Sequence, residues 1–571
     1  MDWLIFCRQY VRISCFRRYP FPQKSWRICG DRIPGGKGIH CLFCRPTSVT
    51  WSARSGDFRC PRSCCSAESP GPLRIPDQKL EIPLKHTVFF SSHNVPVQRP
   101  DSDGDWSTTR STTRRQWLKD MGVISIITGF PGCVLAPRSK GLRVAAFHAD
   151  VTVPLGHGMM GGAWLSRTVV DRLEAHGFVL TGCGTPIVFV SVDWCEIRND
   201  AYRRWQEVLA VAAGTTPERV MVSTIHQHDA PVADLAAERL LRECGLAGTI
   251  CDPTFHEVAV QRVGVVVRAA LPTARPVTHW GMGRAKVLGV ASNRRYEMPD
   301  GQVRFDRTSA TRNAFAIDAD EGLIDPWLRT LSFWHGETPL VAASFYAVHP
   351  MSYYGQGEVS GDFPGQARRK RLEELPGVAQ IYVSGCSGNV TAGKYNTGAR
   401  ENRPVLAEKL RVAMEEAWAV TSRMPVKECT FRVVPLVLEP RASKGFTEAE
   451  LMAELTPATK PFGQCLAAMG LSWRQRVAAG RPVEVPCLDL GGAALLLLPG
   501  ETYVEFQLWA QAQRPADFLC VAGYGDGATG YVPTERHWTE NDSNLGDWCW
   551  VAPGSEPRVQ AAIRSALGAG G

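Results

Sequence analysis

The stretch that decides the fold runs over residues 217–231 and reads PERVMVSTIHQHDAP. Its first half, Arg219 to Ile225, is a short apolar run rich in β-branched residues, which predicts a buried strand. His226 and His228 follow at once, and residues i and i+2 on extended backbone project to the same side. Ligands of α/β folds bind beyond the carboxyl ends of strands. We therefore expect a pair of imidazoles for metal binding or acid–base chemistry, with two solvent-facing loop histidines as the alternative.

Two further strand ends carry side chains of the same kind. The apolar run Leu340 to Val348 ends at His349, and the run Leu495 to Gly500 ends at Glu501. A carboxylate at the end of a buried strand is costly unless it is paired or bound to a metal. A structural histidine and a glutamate at a helix N-terminus are the alternatives. Two histidines and a glutamate are the ligands a catalytic zinc takes, with one position left for water.

Around these strand ends, the body of the chain from about residue 143 has the pattern of a mixed α/β protein. Strands are expected at 143–153, 173–181, 186–192, 340–348, 379–384, 493–498 and 518–522, and helices at 199–213, 404–419 and 448–455. Gly182-Cys183-Gly184 predicts a hairpin between two of the strands, and Gly214 ends the first helix. The body contains no internal repeat. We therefore predict one large catalytic domain of mixed sheets flanked by helices.

Charge and cysteine content separate the first part of the chain from this body. Residues 1–120 hold 20 Lys and Arg against 10 Asp and Glu, whereas the remainder holds 44 against 46. A nearly neutral body gives no electrostatic case for nucleic-acid binding. Eight of the 19 cysteines lie before residue 70, and the others are scattered singly. We interpret the scattered cysteines as small buried apolar residues and predict no disulfide scaffold.

The first 136 residues are interpreted as an extension and an export signal. Thr113-Arg114-Arg115-Gln116-Trp117-Leu118-Lys119 and the short apolar stretch after it are typical of a twin-arginine signal. Such a signal works at a chain's start, so residues 1–105 are interpreted as a non-native, disordered upstream extension, 106–136 as the signal and 140–571 as the working domain. The spacing of Cys41, Cys44, Cys60, Cys64 and Cys65 approaches that of a zinc ribbon. Its position upstream of the signal disfavours a ribbon.

Two motifs next to this segment are weak. Cys133 lies in an approximate lipoprotein box, so a lipid anchor there is a minor alternative. Gly156-x-Gly158-x-x-Gly161 formally matches a dinucleotide fingerprint. Pro154 interrupts the passage from strand to helix, and no acidic residue follows at the required distance. We therefore predict no dinucleotide site.

The ordered motifs of the body resemble those of the neutral ceramidase family. FHADVTVPLG (147–156) is similar to the family's DITPPLG run, VSVD (190–193) to VSLD, and the 217–231 stretch to ENVMLSATHTHSGP. Asn293-Arg294, Ser360-Gly361-Asp362, LPGE (498–501) and GYVPT (530–534) resemble NR, SGD, LPGE and GYVTT. The set spans about residues 143–540 in family order. The resemblance implies a zinc-dependent hydrolase that cleaves an amide of a ceramide-like N-acyl lipid with metal-activated water.

The resemblance also implies a role for each matching residue. His226, His349, Glu501 and Tyr531 would bind Zn²⁺, although Tyr524 is equally eligible from the sequence itself. His228 and Arg294 would orient and polarise the scissile amide, with the adjacent Arg295 as the alternative. Thr391 stands where the family carries a serine once proposed as the nucleophile.

Three departures from the family pattern concern the substrate. Asn389 replaces the aspartate of the loop that carries Thr391, and Ser543 stands where the family has a second tyrosine. We expect the segment Trp538 to Trp550 to line a different pocket. The immunoglobulin-like domain of longer members has no counterpart in the pattern.

These departures leave the substrate open. The expected partner is a lipid or a small amide outside the cytoplasm, periplasmic or extracellular, and peripheral membrane contact is compatible with it. A zinc-dependent esterase or amidase on a non-sphingolipid substrate is the first alternative. A non-catalytic, metal-stabilised binding protein is the second. The sequence does not give the oligomeric state.

Overall fold

Helices and strands are interspersed along the part of the chain that the computed structural model describes, which is residues 141–246 and 249–569. Both parallel and antiparallel strand pairs occur there, so the prediction of mixed sheets flanked by helices is confirmed. The expectations for residues 1–105 and 106–136, including the cysteine spacing and Cys133, lie outside the described residues.

The strands are numbered in chain order. They are β1 (Arg143–Asp150), β2 (Gly158–Met159), β3 (Trp164–Leu165), β4 (Thr168–Val169), β5 (Glu174–Thr181), β6 (Ile187–Val192), β7 (Glu196–Ile197), β8 (Val220–Thr224), β9 (Val232–Ala233), β10 (Arg275–Pro276), β11 (His279–Lys286), β12 (Ser292–Asn293), β13 (Tyr296–Glu297), β14 (Val303–Arg304), β15 (Trp327–His335), β16 (Thr338–Tyr346), β17 (Glu358–Val359), β18 (Ala379–Ser384), β19 (Val390–Thr391), β20 (Ser422–Pro425), β21 (Thr430–Leu436), β22 (Val483–Asp489), β23 (Ala493–Leu497), β24 (Glu501–Thr502), β25 (Phe518–Ala522) and β26 (Tyr531–Val532).

The α-helices are numbered in the same way. They are α1 (Asn199–Ala213), α2 (Leu235–Glu243), α3 (Pro253–Ala270), α4 (Ala314–Asp318), α5 (Asp362–Glu374), α6 (Asn402–Ala419), α7 (Glu448–Glu454), α8 (Pro461–Ala478), α9 (Val504–Gln513), α10 (Glu535–Thr539) and α11 (Glu556–Leu567). No helix among the described residues is both long and apolar enough to cross a membrane.

Several elements occur where the sequence predicts them. Helix α1 has the expected bounds and ends at Gly214, whose left-handed φ of 67° suits a glycine. Strands β18 and β25 also have the expected bounds. Strands β5 and β6 form the expected antiparallel hairpin through residues 182–186. These segments are easy to predict because a local pattern and a turn residue agree.

Three larger sheets form the body of the fold. Their strand orders are β10-β1-β5-β6-β8, β18-β16-β15-β11-β20 and β21-β22-β23-β25. Each sheet contains one parallel pair, namely β6 with β8, β16 with β18 and β23 with β25. In the sequence, one helix connects the two strands of each pair: α1 in the first pair, α5 in the second and α9 in the third. Each parallel pair therefore has carboxyl ends that point the same way, where ligands of α/β folds are found.

The three sheets share one buried hydrophobic cluster. Phe178 of the first sheet meets Phe333 of the second edge to face, with ring centroids 5.2 Å apart. Leu495 and Leu497 of the third sheet belong to the same cluster. Because all of these side chains are almost fully buried, the sheets have little freedom to slide past one another. Loops at the ends of their strands are thus held at fixed positions.

The cysteines differ from expectation at one important place. Cys183, in the β5–β6 turn, forms a disulfide with Cys429, just before β21. The interpretation of these two as buried apolar residues is wrong, because the fold brings together positions 246 residues apart in the sequence. Cys244 is exposed, and the other free cysteines among the described residues are buried as predicted. The disulfide ties the first sheet to the third.

The glycine motif that resembles a dinucleotide fingerprint lies in a small hairpin. Gly158 is part of β2, which pairs with β3, and no α-helix follows it directly. A Cβ atom at Gly158 would lie 2.2 Å from the carbonyl oxygen of Thr249. The glycine therefore permits a close backbone approach between two loops.

Candidate functional site

The carboxyl ends of the three parallel pairs lead to the three side chains singled out as zinc ligands. His226 lies two residues beyond β8, His349 three residues beyond β16, and Glu501 four residues beyond β23. Each sheet therefore contributes one side chain. The three side chains are 2%, 0% and 2% exposed, so they meet in the interior of the protein.

His226 reaches this place through backbone that is not extended. Its φ is +64°, a left-handed conformation that is uncommon for a residue with a side chain. The premise that His226 and His228 lie on extended backbone is therefore wrong at His226. The His226 amide donates to the Trp194 carbonyl at 3.0 Å. Its Nδ1 lies 2.9 Å from the Cys195 carbonyl, which can only accept, so Nδ1 carries a proton and Nε2 is the nitrogen that faces Glu501.

His349 is held in the same way. Its amide donates to the Val390 carbonyl at 2.8 Å, and its Nδ1 lies 3.2 Å from the Ser387 carbonyl. The proton is again placed on Nδ1, which leaves Nε2 as an electron-pair donor. Burial, together with the neighbouring His226 and Arg294, holds the pKa of His349 well below its ordinary value. A neutral imidazole is the form that binds a metal.

Glu501 completes the arrangement from the third sheet. Its Oε2 lies 3.3 Å from His226 Nε2 and 3.6 Å from His349 Nε2. This oxygen is buried and has no hydrogen-bond partner among the described residues. A carboxylate oxygen in that position is unfavourable unless a cation joins it.

The geometry of the three side chains fits a metal ion. All three ligand atoms lie within 4.8 Å of one another. Two imidazole nitrogens and one carboxylate oxygen, with a backbone carbonyl at Nδ1 of each histidine, are the donors and outer contacts typical of catalytic zinc. Among the described residues, Glu174, His176 and Asp193 are also close together, but Arg368 binds both carboxylates. That second group is an ion-pair cluster.

Tyr531 and Tyr524 occupy different sides of the cluster. Strand β24 pairs with β26 in a register that places Glu501 beside Tyr531. Tyr524 instead stacks on the His226 ring at 4.2 Å, and its hydroxyl lies 3.2 Å from Nδ1 of His349. A group that contacts Nδ1 is on the far side of the ring from Nε2. The geometry therefore favours Tyr531 over Tyr524 as a fourth ligand, an alternative that the sequence left open.

His228 lies at the edge of the cluster and is half-buried. Its Nε2 is 3.3 Å from Nε2 of His349. Burial, with the nearby His226 and Arg294, holds the pKa of His228 well below its ordinary value. A neutral imidazole therefore faces the space next to the cluster.

Arg294, and not Arg295, points into the site. Its Nη1 donates to the Tyr531 hydroxyl at 2.8 Å and to Asn544 at 3.1 Å. Its Nε is buried and has no partner among the described residues. Arg295 points outward and forms a bidentate ion pair with Glu540, with N–O distances of 2.7 and 3.0 Å. A buried guanidinium with an unused N–H is suited to bind an oxygen that gains negative charge.

The structure uses the Thr391 hydroxyl elsewhere. The hydroxyl donates to the Thr308 carbonyl at 2.6 Å and accepts from the Gly393 amide at 3.1 Å. Asn389, in the same loop, accepts from the Val504 amide and donates to Glu505. Both side chains therefore hold neighbouring segments of the chain together, and the Thr391 hydroxyl is engaged by Thr308 and Gly393.

Two residues near the cluster are not predicted by the sequence. Asn544 accepts a hydrogen bond from Arg294, and its only signal is that it lies in the unusual segment Trp538 to Trp550. The ring of Tyr354 lies 4.8 Å from the ring of His228. Nothing in the sequence around Tyr354 marks it, because its contacts come from distant loops.

Comparison with known proteins identifies the fold. No protein-family model matches the chain, and no curated protein matches it. Among solved structures, it is similar to neutral ceramidase from Pseudomonas aeruginosa, with 16% identity, a TM-score of 0.56, and coverage of 75% of this chain and 74% of that one. A second neighbour, a ceramidase complexed with C2, has 16% identity, a TM-score of 0.53 and 74% coverage of each chain. The chain therefore has the neutral ceramidase fold, as the sequence resemblance predicts.

Proposed function

We propose that this protein is a zinc-dependent hydrolase that cleaves the amide bond of an N-acyl lipid. The observation that supports this most is the meeting of two imidazole nitrogens on a buried Glu501 oxygen, which has no other hydrogen-bond partner among the residues that the structure describes. The names of the structural neighbours, which are ceramidases, support an amide of the ceramide type.

The zinc ligands in this proposal are His226, His349, Glu501 and Tyr531. A zinc ion bound there would polarise a carbonyl and lower the pKa of water. The carbonyls of Cys195 and Ser387 keep the two histidine rings in the orientation and tautomer that binding needs. Tyr531 is in turn held by Arg294.

His228 and Arg294 are the residues that act on the substrate. Arg294 offers its unused Nε–H to the carbonyl oxygen of the amide, where negative charge builds up during attack by water. His228 stays neutral, so a ring nitrogen is free to hydrogen-bond the amide or to hold a proton for the departing amine. His228 contacts Tyr354, and Arg294 donates a hydrogen bond to Asn544.

Exposed aliphatic side chains in the chain segment that carries Trp164 support contact with lipid. Leu155, Leu165, Val169 and Val170 are 63%, 50%, 45% and 50% exposed and lie in one short segment of the chain. Trp164, in the same segment, stacks on Tyr354. Several exposed aliphatic side chains in one place are typical of an interaction surface. Peripheral contact with a lipid surface is part of the proposal.

We also propose that the protein works outside the cytoplasm. The Cys183–Cys429 disulfide supports this, since such bonds persist in oxidising compartments. The experiment is cell fractionation with thiol labelling of each fraction. We expect the protein in the exported fraction with this cysteine pair protected. A cytoplasmic protein with both thiols free would contradict the proposal.

Metal content and activity, measured together, test the function. The full chain would be purified, its zinc determined, and hydrolysis followed on a fluorogenic N-acyl sphingosine and on the corresponding ester. We expect about one zinc per chain and cleavage of the amide. His226→Ala should lose both, whereas His335→Ala, which changes an exposed histidine at the end of β15, should lose neither.

The outcomes separate the alternatives. Zinc with cleavage of the ester alone would favour the esterase, and zinc without any turnover would favour a binding protein. If the wild-type chain is folded by circular dichroism and contains no zinc, that result would contradict the metal site itself.

A further inference from the structure

A cavity lies against the open side of the candidate site. Tyr354 forms part of its wall, and the ring of Tyr354 also contacts the ring of His228, at a centroid distance of 4.8 Å. The cavity has a volume of about 310 Å³. That is roughly ten times the volume of a water molecule in the liquid, so it can hold a group the size of a sugar ring. The lining residues are Ser309, Ala310, Ser352, Tyr353, Tyr354, Gln356, Gly398 and Arg400.

The Tyr354 wall is firmly positioned. Its ring stacks on Trp164 at 5.8 Å, and its hydroxyl is 3.2 Å from the Ser309 hydroxyl. The next amide, that of Gly355, donates to Asp229 at 3.2 Å. Asp229 directly follows His228, so the loop that carries the wall is tied to the candidate site. A rigid wall of this kind fixes the distance between the cavity and the amide.

The floor of the cavity is polar without a net charge. Tyr353 lies between two guanidinium groups, 3.7 Å from that of Arg403 and 4.9 Å from that of Arg400. Arg400 is the charged side chain in the lining, and Glu358 pairs with it through N–O distances of 2.7 and 2.6 Å. A positively or negatively charged ligand group would therefore gain little electrostatic binding energy in this cavity.

The lining also disfavours an aliphatic chain. Hydroxyls of serine and tyrosine and the amide of Gln356 surround the space, and Ala310 is the aliphatic side chain among them. An alkyl chain would take these polar groups out of water without a replacement hydrogen bond, which is costly. A hydroxyl-bearing group would provide that replacement.

We propose that this cavity is a head-group subsite that takes a neutral, hydroxylated group the size of one sugar ring. Because the acyl chain is apolar, the group is carried on the amine side of the scissile amide. This inference rests on the proposed function and narrows its substrate class to N-acyl lipids with a neutral sugar-like head group.

The test uses two amides that differ in the head group alone. One is a ceramide, and the other is the same ceramide with a neutral hexose on its primary hydroxyl, both in mixed micelles. We expect kcat/KM on the hexosyl amide to exceed that on the plain ceramide by about tenfold, as expected for a site built to hydrogen-bond its ligand. Ala310→Trp fills the cavity and should remove the preference while leaving hydrolysis of the plain ceramide unchanged. Ala453→Trp, on an exposed face of α7, is the matched control.

A second variant and a binding measurement keep the test decisive. Gln356→Leu changes an exposed side chain and should reduce the preference if Ala310→Trp does not fold. Calorimetric binding of an octyl hexoside to the full chain should weaken in both variants. Equal rates on the two amides, or a preference that survives both variants, would overturn the subsite. If neither amide is cleaved, the proposed function fails, and octyl hexoside binding that the variants do not change would then overturn the subsite separately.

Discussion

The deep side and the open side of the candidate site are built from different parts of the fold. On the deep side, His226, His349 and Glu501 come from the ends of three sheets and are at most 2% exposed. On the open side, His228 and Tyr354 are half-buried and belong to loops. The deep contacts are mostly to backbone carbonyls, whereas the open contacts are between side chains.

This difference indicates which parts of the site would stay the same if substitutions changed the substrate of the protein. Backbone carbonyls at fixed strand ends hold the ligand geometry whatever the neighbouring side chains are. Side-chain contacts such as Trp164 with Tyr354 change with a single substitution. We therefore expect metal binding to depend on the deep side and substrate choice to depend on the open side, as is usual for loops on a rigid scaffold.

The largest effect should come from Glu501→Gln on the deep side. The amide cannot supply the negative charge that two imidazoles and a divalent cation require. We expect zinc affinity to fall by more than about 100-fold, the upper range for changes to outer contacts, and hydrolysis to be lost. Chelation should inactivate the wild type, and added zinc should restore the wild type and not the variant.

The control for this prediction is Glu484→Gln, a half-buried glutamate of β22 whose carboxylate accepts a hydrogen bond from Gln206. Its zinc content and activity should match the wild type. Full zinc occupancy in Glu501→Gln would contradict the assignment of Glu501 as a ligand.

The next largest effect should come from Arg294→Lys, at the boundary between the two sides. Lysine keeps the charge and loses the planar set of N–H groups that reaches Tyr531 and the substrate together. We expect kcat to fall by about 100-fold, as for loss of one donor to a developing oxyanion, with zinc content unchanged. Arg295→Lys, whose pair with Glu540 is partly exposed, should stay near wild-type activity. Loss of zinc in Arg294→Lys would instead assign Arg294 to the metal side.

The three side chains of the deep side stand out in the sequence for a physical reason. Apolar runs that end in histidine or glutamate are local signals, and their residues are neighbours in the chain. What the local pattern misses is the backbone at His226, which is left-handed because contacts to Trp194 and Cys195 determine it. The local pattern also does not distinguish Tyr531 from Tyr524 as a candidate ligand. The β24–β26 pairing that places Tyr531 beside Glu501 joins residues 30 positions apart.

The open side is hard to predict because its contacts are distant in sequence. Tyr354 touches Trp164 of β3 and Ser309 of another loop. The same reason explains the disulfide, because Cys183 and Cys429 are scattered single cysteines until the sheets bring them together. A candidate ligand can be identified from its residue type. A pocket can be predicted only when it is known which loops meet in the fold.

A moderate effect should come from Tyr354 on the open side. Tyr354→Ala removes two aromatic contacts, each worth about 0.5–1.5 kcal/mol, and should lower kcat/KM about tenfold. Tyr354→Phe removes the hydrogen bond to Ser309 alone and should cost a few-fold at most. Zinc content should stay at the wild-type level in both variants. A loss of zinc in Tyr354→Ala would show that the two sides are not separable.

The smallest effect on catalysis should come from Thr391, which the family resemblance and the structure treat differently. Thr391→Val keeps the shape and leaves the Gly393 amide without its acceptor, so the free energy of unfolding should fall by about 1–3 kcal/mol. Thr391→Ser keeps the hydroxyl and should stay close to the wild type. Since the hydroxyl is engaged by Thr308 and Gly393, activity per folded molecule should be the same in both variants. Urea unfolding and kcat, measured on the same preparations, test whether the Thr391 hydroxyl takes part in catalysis. A large fall in kcat for Thr391→Val with unchanged stability would support the catalytic role that the resemblance implies.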